Sequence, residues 1–303
     1  MISQQFDFIP KAWSDTKGAG VSIALFDTGA ELSHLSLKHL DKAGNKFDVA
    51  GKNFNPITNS GNDNVTDGMF NGNLHGTQMA GVISAISTDT EAPQGVAVEA
   101  ELLICKMRDA NSESYADYFI KGLQLAILKK VDIISCAYTP TFKEPVDMVL
   151  IDNLFQELSQ QKILLITTNA NTANLDKLNA LQFPSNRKES IVTATLQDAM
   201  LKKWNPTSHL NAAYQVVLAE KEGIFCGNPA AVPPHIFSNW KNSHATAALA
   251  GIFALYLSFL KNRDGANYVR PSKDEVITAL KTHTKAFIPD LLMSNKTQIF
   301  YHQ

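Results

Sequence analysis

Three short stretches hold residues able to act together on a carbonyl carbon: Asp27-Thr28-Gly29, His75-Gly76-Thr77 and Asn242-Ser243-His244. A serine hydroxyl is a weak nucleophile until a base removes its proton, and imidazole is the base that titrates near neutral pH. The imidazole needs a carboxylate to fix which ring nitrogen carries its proton and to stabilise the imidazolium that forms. Asp27, His75 and Ser243 supply these groups, in that order along the chain. The chemistry implied is acyl transfer through a covalent acyl-serine. Each stretch alone is also an ordinary feature. Asp-Thr-Gly occurs in common turns, and a serine at a helix start is a common N-cap. The three roles together carry the reading.

The elements around these residues must bring them together. VSIALF (Val21 to Phe26) reads as a buried strand closed by the Asp27-Thr28-Gly29 turn. ELLICKM, VDIISCA, KILLITT, SIVTATL and YQVVLA read as further strands. Between them, 115–130 and 146–161 have the apolar spacing of helices, as does 272–282 near the C-terminus. Apolar strands alternating with helices predict an α/β fold: a three-layer, mostly parallel twisted sheet with helices on both faces. Ligand sites in such sheets lie beyond the carboxyl ends of the strands, where Asp27 falls. Small residues after His75 (Ala80, Gly81, Ser84, Ala85) suit a tightly packed helix. Gly76 would let another backbone approach closely. Ser243 opens the apolar run Ala245 to Leu260, whose first-turn N–H groups would stabilise an oxyanion.

Composition narrows the function classes. The 303 residues are 45% hydrophobic and 18% charged, with a net charge of −2. There is no basic excess for nucleic acid. The run Ala245 to Leu260 holds sixteen residues, short of the roughly 20 needed to span a bilayer, so it reads as a buried core helix rather than a membrane span. Cys105, Cys136 and Cys226 form neither a C-x-x-C pair nor an even set, so no disulfide framework or zinc site is expected. Cys226 is read as an inert thiol. The polar stretch from Asn53 to Asn73 reads as a long surface loop. Its Asn62, Asp63, Asn64 and Asp67 lack the spacing of a calcium loop, so no metal or cofactor is expected. MISQQFDFIPKAW lacks a signal-peptide pattern, which favours the cytoplasm. Residues 1–303 read as one domain, with neither signal peptide nor propeptide visible. Oligomeric state is not encoded in any of these patterns.

The motifs resemble those of subtilisin-like serine peptidases. FDTGAELSH is similar to that family's aspartate motif, HGTQMAG to its histidine motif and NSHATAALAG to its serine motif. The entry segment IPKAWSDTKGAGVSIAL is similar too, and the order Asp, His, Ser is that of subtilisin. The resemblance covers almost the whole chain. It implies a side-chain amide as one oxyanion donor after the strand ending at Thr168, which places it at Asn171, with Asn169 the alternative. It implies substrate-binding walls at Ala137, Tyr138 and Thr139 and at Ala170.

Departures from the family pattern sharpen the expectation. Lys241-Asn242 replaces Gly-Thr before the serine, and Ala247 replaces a proline. Ala137-Tyr138-Thr139-Pro140 replaces Ser-Leu-Gly-Gly, and Thr168-Asn169-Ala170-Asn171 replaces Ala-Ala-Gly-Asn. Side chains in place of glycine predict a narrowed cleft, and Pro140 removes a backbone donor. The reading is a serine endopeptidase that forms an acyl-enzyme on Ser243 and processes peptides or proteins selectively. Two rivals stay open: a transpeptidase or macrocyclase that hands the acyl group to a peptide amine, and an inactive subtilisin fold used for binding.

Overall fold

Leucine-, isoleucine- and valine-rich runs become strands whose side chains alternate between two apolar layers. The computed structural model describes residues 8–68, 74–86, 94–108, 111, 113–142, 145, 147–168, 183–198, 203–204, 215–219, 223–225, 235–237 and 242–283. After helix α1 (Phe8–Asp15), the strands are β1 (Ser22–Asp27), β2 (Lys46–Asp48), β3 (Glu101–Lys106), β4 (Ile133–Cys136), β5 (Leu164–Thr168), β6 (Ser190–Asp198), β7 (Lys203–Trp204) and β8 (Gln215–Ala219). They form one sheet in the order β2-β3-β1-β4-β5-β6-β7, with β8 also paired to β6. Every pairing is parallel except β6 with β7. Short strands β9 (Gly223–Phe225) and β10 (His235–Phe237) pair antiparallel in a separate ribbon. The expected α/β class and mostly parallel sheet are thus observed. The short strands β2, β7, β9 and β10 lie outside the sequence expectation.

The period-two alternation of a strand decides which helices each residue meets. On one face, Ile23 and Leu25 of β1, Ile104 of β3, Ile133 of β4 and Ile166 of β5 pack against α2 (His75–Ser84) and α5 (Asn242–Asp264). On the other, Ala24, Phe26, Cys105, Ile134 and Leu165 pack against α3 (Ala116–Leu128) and α4 (Met148–Gln160). Each fully buried Leu, Ile or Phe contributes about 2 kcal/mol. By the same alternation, Asp27 projects to the α2/α5 side. The last helix, α6 (Lys273–His283), adds Val276 and Ile277 to that layer.

Helix α5 corrects the length argument drawn from sequence. It runs 23 residues, beyond the apolar run at both ends, so length alone no longer distinguishes it from a spanning helix. Its most apolar stretch is 89% buried inside the protein. The helix is apolar nearly all round because it fills the layer between the sheet and α2.

The amino ends of the strands are tied by a buried carboxylate. Asp132, just before β4, accepts from Ser22 N (2.9 Å) and Lys261 Nζ (3.0 Å), and its other oxygen lies 2.8 Å from Arg270 Nη2. Arg270 also donates to the carbonyls of Lys130, Val131 and Gln161. Asp132→Ala leaves Lys261 and Arg270 partly hydrated, so the loss is that of charged hydrogen bonds rather than a stranded pair. Urea unfolding is expected to show about 2 kcal/mol lost. An unchanged midpoint would contradict the assignment.

Candidate active site

The turn after β1 and the start of α2 meet through their backbones before their side chains do. Gly29 has φ +111, a conformation that favours glycine. A Cβ on Gly76 would overlap the carbonyl oxygen of Gly29. The glycine in the histidine motif therefore admits the turn of the aspartate motif, and that contact sets the spacing between Asp27 and His75.

Within that spacing, His75 Nδ1 lies 2.7 Å from Asp27 Oδ1. A carboxylate oxygen only accepts, so Nδ1 carries the proton and Nε2 is left with its lone pair. Asp27 is 3% exposed. Its Oδ1 also accepts from Thr28 N at 2.8 Å, while Oδ2 is buried with no hydrogen-bond partner among the described residues. Burial by itself lowers the His75 pKa. The charge and hydrogen bond of Asp27, helped by the charge of Asp67, outweigh it and raise the imidazole above its ordinary 6.5; Arg108 opposes them.

Ser243 is the second residue of α5 and is 5% exposed. It opens the helix that packs beside α2 on the Asp27 face of the sheet. The first turn of α5 is pinned to the sheet. Thr193 Oγ1 of β6 lies 2.6 Å from Thr246 Oγ1, consistent with Thr193 donating to Thr246 and Thr246 donating in turn to the Asn242 carbonyl at 3.0 Å. Thr193 pairs with Thr168 at the carboxyl end of β5. The start of α5 thus sits at the same rim of the sheet as Asp27. First-turn N–H groups lack intrahelical partners and favour negative charge. Ala247, where the family has proline, is fully buried and the helix continues through it.

The sequence-expected wall residues sort differently. Ala137 is buried on the α2/α5 side, one step past the Phe26–Cys136 register pair and so beside Asp27. The Tyr138 ring turns into the opposite layer, edge-on to Phe119 at 6.5 Å, because the strand alternation continues one residue beyond Ala137. Thr139 is partly exposed and Pro140 buried. The segment past β4 is stitched to the one before α3: Thr141 N donates to Ser114 O, and Ala116 N to Thr141 O. Asn171, Asn169, Ala170, Lys241 and Cys226 lie outside the described residues.

Sequence reasoning missed Asp67. The stretch from Asn53 reads as a surface loop, yet it folds back into the site, with Val65 and Asp67 buried. Asp67 accepts hydrogen bonds from Thr28 and Thr77, the residues that follow Asp27 and come two after His75. The available signal was a carboxylate between the two motifs, in a loop too polar to suggest burial. Among the described residues no cluster of His, Cys, Asp or Glu has the grouping of a metal site.

A model of the subtilase family matches residues 18–297. The chain is 36% identical over 126 residues to an intracellular serine protease of Paenibacillus polymyxa, covering 42% of this chain and 35% of that protein. It is 30% identical over 193 residues to the major intracellular serine protease of Bacillus subtilis (strain 168), covering 63% and 56%. The matched stretches thus span about a third to about half of those relatives. Among solved structures, the prenylagaramide maturation protease PagA superposes with a TM-score of 0.67 at 18% identity, covering 93% of this chain and 90% of that one. At that identity the likeness concerns the fold.

A base must be neutral to accept a proton. Because His75 is raised above 6.5, reaction of the serine with a fluorophosphonate should rise with pH through a midpoint above that value. Asp27→Asn removes the charge that holds the imidazole up, leaving burial to dominate, so its midpoint should fall. A rate–pH profile for both proteins checks this; an Asp27→Asn midpoint equal to or above wild type would contradict it.

Proposed function

From the premise that this chain belongs to the subtilase family of serine proteases, we propose that it is a serine endopeptidase acting through Asp27, His75 and Ser243. The observation that carries the reading is the 2.7 Å contact of His75 Nδ1 with Asp27 Oδ1, on the sheet face where α5 begins with Asn242 and Ser243. In this mechanism His75 Nε2 takes the proton of Ser243 Oγ as the oxygen attacks the carbonyl of a peptide bond. The negative charge formed on the carbonyl oxygen is held by the Ser243 N–H and the Asn171 side-chain amide. His75 then gives its proton to the leaving amine, and the C–N bond breaks. Water attacks the acyl-serine with His75 again as base, releasing a carboxylic acid and restoring Ser243.

Selective processing of a peptide or protein is the substrate reading we favour. Thr139 and Pro140 stand where the family has glycines, and Pro140 withholds an N–H that an extended peptide would otherwise meet. The structural neighbour is itself named a maturation protease, which agrees with such a role. The two relatives named intracellular serine proteases support a cytoplasmic site of action. A fluorophosphonate probe should label wild-type protein on Ser243 and leave Ser243→Ala unlabelled. No labelling of folded wild type would refute the enzyme reading. With a cleaved peptide, product masses summing to substrate plus one water mark hydrolysis. A cyclic product instead marks capture of the acyl group by an amine.

A further inference from the structure

Asp67 does more than fill the loop it belongs to. It is 7% exposed, and both of its oxygens are used. Oδ1 accepts from Thr28 Oγ1 at 2.5 Å, and Oδ2 from Thr77 N at 2.7 Å and Thr77 Oγ1 at 2.6 Å. Each hydroxyl passes the link on. Thr28 Oγ1 accepts from Gly76 N at 2.8 Å, and Thr77 Oγ1 from Glu31 N at 2.9 Å. One buried carboxylate thus closes two hydrogen-bonded chains, both running between the turn after β1 and the first turn of α2. It also places negative charge at a helix N-terminus, where the dipole favours it.

We infer that Asp67 is a positioning residue for the catalytic pair: its carboxylate, acting through Thr28 and Thr77, locks the strand end bearing Asp27 against the helix start bearing His75. This inference rests on the serine-protease reading of Asp27 and His75. Two distances define how the lock reaches the pair. Thr28 has a single hydroxyl proton, with Asp67 Oδ1 at 2.5 Å and Asp27 Oδ1 at 3.3 Å. The nearer carboxylate takes it, which leaves Asp27 Oδ1 to the Thr28 N–H and the imidazole. An amide at position 67 would donate to Thr28 instead and turn that proton toward Asp27, in competition with His75.

Charge is the second route. Burial lifts the Asp67 carboxyl to about 6 against the hydrogen bonds that favour its ionised form, and its charge raises His75. The other groups facing the bracket are Asp27 from β1, Lys106 at the end of β3, whose ammonium donates to Thr66 O, and Arg108 just beyond it. The hydrogen bonds to Asp67 among the described residues come from the two threonines.

The test is the rate of Ser243 labelling by a fluorophosphonate as a function of pH, in wild type and Asp67→Asn. Asp67→Asn is expected to label about ten- to a hundredfold more slowly at pH 7.5, in the range of effects from disturbed positioning. Its acid limb should move to lower pH, since a charge that raised the imidazole is gone. A slower variant with an unmoved limb would mean a merely structural role, and a wild-type rate with an unmoved limb would mean none; either overturns the inference. Should Asp67→Asn fail to fold, Thr28→Val keeps the charge and shape but cuts the link to Gly76. It should lose about tenfold in rate, with Thr28→Ser recovering most of it, and a Thr28→Val rate equal to wild type overturns the inference. If wild type itself does not label, the serine-protease reading fails first.

Discussion

One hydrogen bond, from the imidazole of His75 to a single oxygen of Asp27, constrains everything at the rim of this sheet. It joins a strand end to a helix start through a carboxylate buried at 3% exposure. Burying a charge is costly unless donors surround it. The structure meets that cost locally, with the Thr28 N–H and the imidazole both on Oδ1. The cost also explains the glycines. A side chain at 76 would push α2 off the Gly29 carbonyl, and the imidazole would lose a partner that stands only 2.7 Å away.

The sheet supplies the rest by parity. Leu25 and Asp27 share one face of β1, and that face meets α2 and α5. His75 and Ser243, the proposed base and nucleophile, are therefore carried by the two helices that pack on the side where the carboxylate points. The threonine pair Thr193–Thr246 fixes the opening turn of α5 to β6. At the opposite end, Asp132, Lys261 and Arg270 hold the amino ends of the strands. The buried carboxylates lie at the two rims, Asp27 and Asp67 at one and Asp132 at the other. Between them Leu25, Leu103, Ile134, Leu165 and Ile166 are buried and apolar, with Ser135 the polar residue at the centre of β4.

Much of this was legible in the chain. The apolar runs ending at Phe26 and Thr168 announced buried parallel strands, because burial on both faces demands continuous apolarity. Asp27 and His75 stood out since their roles need each other. Asp67 did not, because its partners lie 39 and 10 residues away and its loop is rich in Asn, Asp and Gly. A local pattern reports turn propensity, while burial of Asp67 is a property of the loop's return path. The direction of the Tyr138 ring was hidden for the converse reason. A family comparison marks the segment as a wall, but strand parity decides which way the ring turns, and here it meets Phe119. The length of α5 escaped because Asn242, Ser243 and the charged residues after Leu260 are poor apolar markers, yet they still continue the helix.

The central claim is that Asp27 holds the proton-bearing Nδ1 of His75. Low-field proton NMR observes that proton directly. A strongly deshielded imidazole resonance is expected in the folded wild type, absent from Asp27→Ala and His75→Ala. It should also shift with pH as the imidazole titrates above 6.5. A folded wild-type protein lacking that resonance, or keeping it when Asp27 is removed, would contradict the account.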